Sequence, residues 1–513
     1  MKEYSPMKIT LISPYATISA FGLRSISACL KRERHDVKLI FLPKKFMMDY
    51  EEETLNELAL LAKGSDLIGI SLMTNYFNNV VKLTQRLRQT TDAPVIWGGI
   101  HATIRPEECL NFADMVCIGE GEETVMELAR KMQNGENYRD TKGIWLKGEE
   151  GIIKNELRPL IQDPDSLPYQ DYDYGAHYIL RDKHIYKIDE RLLGTYLKGD
   201  YLAHPTRGCP FGCTYCCNNT INKIFSDQKT LVRKRSMDSI INELAGIKNK
   251  LPFINHITFD DDAFFFYSEE DIREFSEKYK QRICLPLEIR GANPATLTRR
   301  KLSLLIDSGL TDIRLGIQTG SERTKRMYKR FQSNQRVEEC VQMINEFRDK
   351  IKLPRYDIIL NNPWERDEDL AETLLFFAKF PKPYLLNMFS LVLYPGTELY
   401  DKAVKDGIIS DDLNEVYRKN YNFRANGTSG KLLNETYFNN LFYLLYVYSL
   451  AGYSISTKML CLLIKRKSKP LKSRLVYFIL RFGANLLLKK RLAQEIYAST
   501  KEGCLHRTEY DLD

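Results

Sequence analysis

Residues 201–216 read Tyr201-Leu-Ala-His204-Pro-Thr-Arg-Gly208-Cys209-Pro-Phe-Gly212-Cys213-Thr-Tyr215-Cys216. A short apolar run ends in a loop that carries three thiols, and Gly208 and Gly212 allow that loop to turn tightly. The run LAHPT reads as a strand, so the thiols stand at its mouth. Five more such runs follow, HITFD, PLEIR, DIRLGI, RYDIIL and NMFSLVL, with helical stretches such as Met237 to Lys248 and Glu368 to Lys379 between them. Six strand–helix units predict an α/β fold with a partial (β/α)6 barrel. Barrel enzymes react at the carboxyl ends of their strands, which selects the loops that matter.

Upstream, from Lys8 to about Lys131, the runs KITLIS, VKLIFL, LIGISL, PVIWGG and MVCIGE alternate with helical segments such as Tyr76 to Arg88. This predicts a doubly wound parallel sheet, Rossmann-like and flavodoxin-like, which binds ligands at its strand carboxyl ends. Those ends are Ser13-Pro14-Tyr15, Ser71-Leu72-Met73, Gly98-Gly99-Ile100-His101 and Gly119-Glu120-Gly121-Glu122. Gly98 and Gly99 remove side chains there, so a flat, wide ligand can approach the backbone. The polar stretch DPDSLPYQDYDYG at 163–175 reads as a connection. The expected division is 1–150 for the first domain, 151–195 for a linker, 196–400 for the barrel and 401–513 for a mostly helical C-terminal region.

A chain of 513 residues is long enough for about three domains. Hydrophobic residues at 43% and charged residues at 28% are globular in composition. The net charge of +8 is modest, and Lys and Arg interleave with Asp and Glu in the N-terminal half. Nucleic acid is therefore not expected as a partner. Eleven cysteines without paired spacing fit a reducing compartment better than a disulfide framework. The N-terminus enters a strand directly without a signal-peptide pattern, so a cytoplasmic protein is expected.

Three cysteines can hold three irons of a four-iron cluster and leave the fourth open to a substrate or cofactor. A zinc site would need a fourth ligand such as Cys217 or His204, and Cys217 directly follows Cys216, so those two side chains diverge. The pattern CxxxCxxC, with Tyr215 before the last cysteine, resembles the radical S-adenosylmethionine superfamily. The resemblance implies a 4Fe-4S cluster on Cys209, Cys213 and Cys216, with S-adenosylmethionine on the open iron and its cleavage to a 5'-deoxyadenosyl radical. It further implies cofactor contacts from Tyr215, from Gly316, Gln318 and Glu322 in the segment Leu315–Glu322, and from Asp260 and Asp261, where many members have Gly-Gly-Glu. Arg290 would pair with the methionine carboxylate. Tyr394-Pro-Gly-Thr397 is also similar to the family, and Asn361-Asn362-Pro363-Trp364 is a candidate substrate lining.

Gly98-Gly99-x-His101, Pro106-Glu107, Asp114 and Gly119–Glu122 together resemble the cobalamin (B12)-binding domain that precedes the barrel in one branch of that superfamily. Cobalamin contacts are expected from Ser13, Pro14, Tyr15, Ser71, Met73, Gly98, Gly99, His101, Gly119, Glu120, Gly121 and Glu122. The Asp-x-His-x-x-Gly motif that supplies a lower cobalt ligand elsewhere is absent, so His101 reads as a hydrogen-bonding residue. The resemblance implies a C-methyltransferase acting on an unactivated carbon of a small-molecule or lipid-like substrate, with a reductant protein such as flavodoxin or ferredoxin. A radical coupling, cyclisation or rearrangement without methyl transfer is the second enzymatic reading, and a non-catalytic corrinoid or iron-sulfur carrier a third. Cys29, Cys109 and Cys117 do not form the second cluster of a methylthiotransferase. In the C-terminal region, Thr436 to Thr457 carries no charge, and Lys465-Arg-Lys467, Leu475–Leu480 and Leu486–Arg491 alternate basic and apolar character. Two readings follow: a helical cap on the barrel, or a helix lying peripherally on an anionic membrane.

Overall fold

A computed structural model describes residues 5–227, 231–351, 353–419 and 436–465. Two compact units form, Met1–Ile257 with Leu393–Lys419, and Thr258–Val392 with Asn420–Asp513.

In the first unit, β1 (Lys8–Ser13), β2 (Asp36–Phe41), β3 (Leu67–Ser71), β4 (Val95–Gly98) and β5 (Met115–Cys117) are the expected parallel strands. They stand in the order β5-β4-β3-β1-β2. Their interiors are apolar on both faces because helices such as Phe21–Arg32 and Glu122–Gln133 cover the sheet, which leaves no polar side to the strands. Antiparallel β6 (Ile144–Gly148) and β7 (Gly151–Lys154) extend the β5 edge. The segment expected as a linker differs: β8 (His177–Arg181) pairs parallel with β2, and β9 (His184–Lys187) pairs antiparallel with β8. Its polar residues serve buried partners. Arg24 is fully buried and donates to the carbonyls of Ile18, at 2.9 Å from Nη2, and Asp171, at 2.6 Å, while its guanidinium lies 3.9 Å from the Tyr172 ring centre. The Asp171 carboxylate is held by Ser27, His177 and Lys31 at 2.6, 3.1 and 2.8 Å. A buried ion survives only with such partners, so 163–175 is anchored chain rather than a tether.

The same unit continues through β10 (Asp200–Ala203) and an antiparallel pair, β11 (Thr206–Arg207) with β12 (Arg233–Lys234). The helix Cys217–Ile224 lies between them in sequence.

The second unit opens on the carboxyl end of β13 (His256–Asp260), followed by β14 (Leu287–Ala292), β15 (Leu310–Gln318), β16 (Arg355–Leu360) and β17 (Leu385–Ser390). They lie side by side in chain order, with β14 to β17 parallel. Alternation along these strands puts Leu287, Ile289, Ile313, Leu315, Tyr356 and Ile358 in the core. The intervening positions carry ion pairs: Glu288 with Arg290 at 2.8 Å, Glu288 with Arg355 at 3.4 Å and Arg314 with Asp357 at 2.7 Å. The helix Tyr437–Leu450 has no charged residue because nearly every face of it is buried. Its Asn439 donates to Asn361 at 2.8 Å, and the Ser449 carbonyl accepts from the Tyr384 amide at 3.3 Å. Among the described residues, no helix is long and apolar enough to cross a membrane. The basic and apolar stretches beyond residue 465 lie outside the described residues.

Candidate functional site

The cysteine loop runs from β11 into the helix Cys217–Ile224. Cys213 is buried, Cys209 and Cys216 are half-buried, and none of the three is in a disulfide. The Cys216 amide donates to the Cys213 carbonyl at 3.1 Å, and Asn222 donates to the Cys209 carbonyl at 2.8 Å, so the helix holds the loop it follows. Among the described residues, no three His, Cys, Asp or Glu side chains converge on one point as a single metal ion requires. The Tyr394–Thr397 segment braces the loop from the other side: Thr220 donates to the Gly396 carbonyl at 2.7 Å, and the Leu399 amide donates to the Thr214 carbonyl at 3.1 Å.

The strand-end loop Gly119–Glu122 meets residues that flank the cysteines. Gly119 has φ of 83°, and a Cβ there would stand 2.6 Å from the ring of Phe225. Glu120 accepts from Arg233 at 2.7 Å, from Arg207 at 3.1 Å and from the Ile161 amide at 2.7 Å. Glu122, its side chain only 4% exposed, accepts from Arg207 at 2.5 Å. Burial works to raise the Glu122 carboxyl, but the Arg207 charge and hydrogen bond hold it below its ordinary range. Burial likewise works against the Arg207 cation, yet Glu122 and Glu120 keep it above its ordinary range.

Above β1, β3, β4 and β5 lies a cavity of about 330 Å³. Leu11, Leu67, Gly69, Ile70, Ile96 and Cys117 form its apolar floor, and Phe21, Gly22 and Ile26 of the first helix its side. Burial pushes the Cys117 thiol up to about 12, so it stays a neutral, apolar surface. The rim is polar, with Ser71, Glu120, Glu122, Gln170, Arg207 and Arg235. Of the strand-end residues singled out from sequence, Ser71, Gly98, Gly99, Gly119, Glu120, Gly121 and Glu122 line this cavity. Ser13, Pro14, Tyr15, Met73 and His101 are not among its lining residues. Tyr15 instead shares a hydrogen bond with Ser71 at 2.6 Å, the Pro14 carbonyl accepts from Tyr50 at 3.3 Å, Ser13 is buried and Met73 exposed. Gly99, with φ of 96°, is demanded by the Leu72 carbonyl 2.9 Å from where its Cβ would be, so part of that glycine pair serves the backbone itself. His101 is 1% exposed, with Nδ1 3.0 Å from the Thr74 hydroxyl and Nε2 3.5 Å from Glu108, which also accepts from Tyr417 at 2.7 Å. Its place is in a buried polar network. Reading the sequence alone missed Phe21, His204, Arg207, Gln170, Arg235 and Glu243 as lining; Arg207, two residues before Cys209, carried the nearest signal.

In the second unit, Gln318 ends β15 with φ of 75°, and its side-chain amide lies 3.0 Å from where a Cβ on Gly316 would be. A side chain at 316 would push the Gln318 amide from its place, so the position of that amide depends on the glycine. Glu322 sits in the first turn of the helix Glu322–Tyr328 and pairs with Lys325 at 2.9 Å. Arg290 pairs with Glu288. Asp260 ends β13 half-buried, whereas Asp261 is buried and accepts from the Ala263 amide at 2.9 Å, a turn-forming role. Tyr215 is half-buried. Asn361 donates to Ser390 at 3.0 Å, and Asn362 donates to the Tyr328 hydroxyl at 3.1 Å.

A strand-end cavity in a doubly wound domain, lined in part by His204 to Arg207 just ahead of a cysteine loop, is a place where such folds bind a ligand. Residues 7–129 match the B12 binding domain family, and residues 204–377 match the radical SAM superfamily. The chain belongs to the radical S-adenosylmethionine superfamily, in the branch with an N-terminal B12-binding domain. It is an enzyme whose cofactors are a 4Fe-4S cluster, S-adenosylmethionine and cobalamin. It is 27% identical over 394 residues to an uncharacterized methyltransferase of Pyrococcus horikoshii, covering 74% of this chain and 78% of that one. It is 21% identical to the bacteriochlorophyllide d C-8(2)-methyltransferase of Chlorobaculum tepidum, covering 69% and 71%. A shorter match, 28% identical over 207 residues and covering 40% and 38%, is to the anaerobic magnesium-protoporphyrin IX monomethyl ester cyclase of a Synechocystis species. Its fold is similar to that of the radical S-adenosylmethionine methyltransferase TsrM from Kitasatospora setae, with a TM-score of 0.61, 17% identity and coverage of 78% and 76%. The cobalamin-dependent radical enzyme OxsB gives a TM-score of 0.60 at 15% identity, covering 99% and 83%.

Proposed function

We propose that this protein is a cobalamin-dependent radical C-methyltransferase that acts on an unactivated carbon of a small molecule. The observation that carries the reading is the shared wall of one cavity: His204 to Arg207, leading into the cysteine loop, line the same space as the strand-end residues Gly98, Gly99 and Gly119 to Glu122. When bound, the cluster with S-adenosylmethionine supplies a 5'-deoxyadenosyl radical, and cobalamin a transferable methyl group. Cys209, Cys213 and Cys216 would hold the cluster. Tyr215, Asp260, Gly316, Gln318, Glu322 and Arg290 are the candidates for orienting S-adenosylmethionine, while Asp261 shapes the turn beside Asp260. The cavity suits cobalamin in two respects: about 330 Å³ of apolar space accepts the flat base of its nucleotide tail, and the polar rim offers partners for its amide side chains. His101, enclosed by Thr74, Glu108 and Tyr417, would steady the loop that begins at Gly98 rather than meet the ligand. The functional layout we favour is a cobalamin domain over 1–150, a segment over 151–195 that leads to the barrel while adding β7, β8 and β9 to the first sheet, the radical domain over 196–400 and a C-terminal region over 401–513.

The relatives named as methyltransferases support the methyl transfer, and the magnesium-protoporphyrin cyclase match keeps a ring-forming radical reaction as the second reading. TsrM is described with a tryptophan substrate, which is consistent with a small molecule here. A reductant such as flavodoxin or ferredoxin would deliver the electron. Association of the C-terminal region with an anionic membrane is part of the proposal only for a lipid-like substrate, and flotation with anionic liposomes tests it.

The deciding experiment compares a deletion strain with its complemented parent, both fed methionine deuterated at the methyl group. We expect a metabolite found only with the active gene that carries a labelled methyl. A gene-dependent product with unchanged mass or lost hydrogen, and no label, overturns methylation in favour of the second reading.

A further inference from the structure

Arg207 touches both halves of this machinery. It lies two residues before Cys209, and its two terminal nitrogens reach two different carboxylates of one strand-end loop, Glu120 at 3.1 Å and Glu122 at 2.5 Å. Glu120 is clamped a second time by Arg233, which is 5% exposed and also donates to the Ile161 carbonyl at 3.1 Å. Two carboxylates and two guanidiniums therefore form a largely buried, neutral quartet, three of whose members, Glu120, Glu122 and Arg207, line the cavity.

Such a quartet is a poor device for stability alone. Removing four charges from water costs several kcal/mol per ion, and well-packed apolar side chains often do as well. What it supplies is geometry, because a planar guanidinium fork bridges two acceptors in one orientation, as a lysine would not. Each residue between Gly119 and Glu122 lines the cavity, so a ligand seated there presses on the loop that Arg207 grips.

We propose that Arg207 is a positioning residue that couples occupancy of the strand-end cavity by cobalamin to the conformation of the cluster-binding loop. The inference rests on the cobalamin and cluster readings above. Coupling of this kind is reciprocal: if the corrinoid steadies the cysteine loop, the assembled cluster must tighten corrinoid binding by the same factor.

The test measures the dissociation constant of hydroxocobalamin, by its absorption change, for the full chain with its cluster assembled and for the same chain stripped of iron. We expect the cluster-loaded protein to bind about tenfold more tightly, within the usual range for coupled sites. In Arg207→Met the ratio should fall to about one, and in Glu120→Gln, which keeps shape and removes charge, it should fall in the same direction. A merely structural role would weaken both forms alike and leave the ratio intact. Folded variants that keep the wild-type ratio, or a wild-type ratio of one, overturn the coupling. Wild-type protein that binds no hydroxocobalamin in either form overturns the cobalamin reading and the coupling with it.

Discussion

At the scale of single residues, Glu365 and Gly119 are each constrained by what surrounds them. Glu365 follows the Asn361–Trp364 stretch, and its Oε2 is buried without a hydrogen-bond partner, while its Oε1 accepts from Thr324 at 3.1 Å. Burial, helped by the charge of Asp369, pushes this carboxyl up to about 7 from 4.5, against the opposing pull of Thr324 and Arg323. A raised carboxyl binds its proton more tightly in the folded state, so its share of stability is present at low pH and falls as pH rises between about 4.5 and about 7. Urea midpoints measured across that window should show the decline in the wild type and a flatter profile in Glu365→Gln; equal slopes would show that the carboxyl is not raised. Gly119 is constrained by space and backbone at once. Gly119→Ala should cost about 1–3 kcal/mol in urea unfolding, since the methyl meets Phe225 and the positive φ disfavours a side chain.

At the scale of elements, the helix Tyr437–Leu450 shows how an uncharged stretch can mislead. Its lack of charge invites a membrane, but Leu441, Phe442 and Leu445 are fully buried within the second unit. A helix apolar on all sides belongs inside a protein core as readily as in lipid. Leu445→Ala should therefore destabilise that unit by about 2–5 kcal/mol, read from a shifted urea midpoint, whereas a lipid-facing leucine would leave the soluble protein unchanged. The connection at 163–175 shows the converse. Its Asp and Tyr content reads as solvated chain, yet Asp171 and Tyr172 enclose Arg24, and β8 and β9 complete the sheet.

At the scale of the whole molecule, the cysteine loop follows directly on His204–Arg207, which line the strand-end cavity, but none of the three cysteines lines it. Loss of one thiol should end radical formation without emptying the other site. Cys213→Ala is expected to release no 5'-deoxyadenosine above background under anaerobic reduction, while still showing corrinoid absorption after cobalamin loading and gel filtration. Continued 5'-deoxyadenosine release would remove Cys213 from the cluster, and a protein stripped of corrinoid would show that the cavity depends on that thiol.

What sequence alone determined here is what local pattern encodes. The runs KITLIS, LIGISL, PLEIR and RYDIIL, at 8–13, 67–72, 286–290 and 355–360, read as strands, and three thiols within eight residues that also hold Gly212 must share one loop, because burial and turn chemistry act over a few residues. The seven strand-end residues that line the cavity were also legible, since a strand's carboxyl end is known once the strand is. The tertiary structure alone decided which neighbours those ends would meet. His101 turned inward to Glu108 and Tyr417, Asp261 accepts from the Ala263 amide in the turn that follows its strand, and Arg207 closed onto Glu120 and Glu122 across more than eighty residues of chain. Periodicity records that a residue is buried, but the partner that makes its burial tolerable is chosen by the fold.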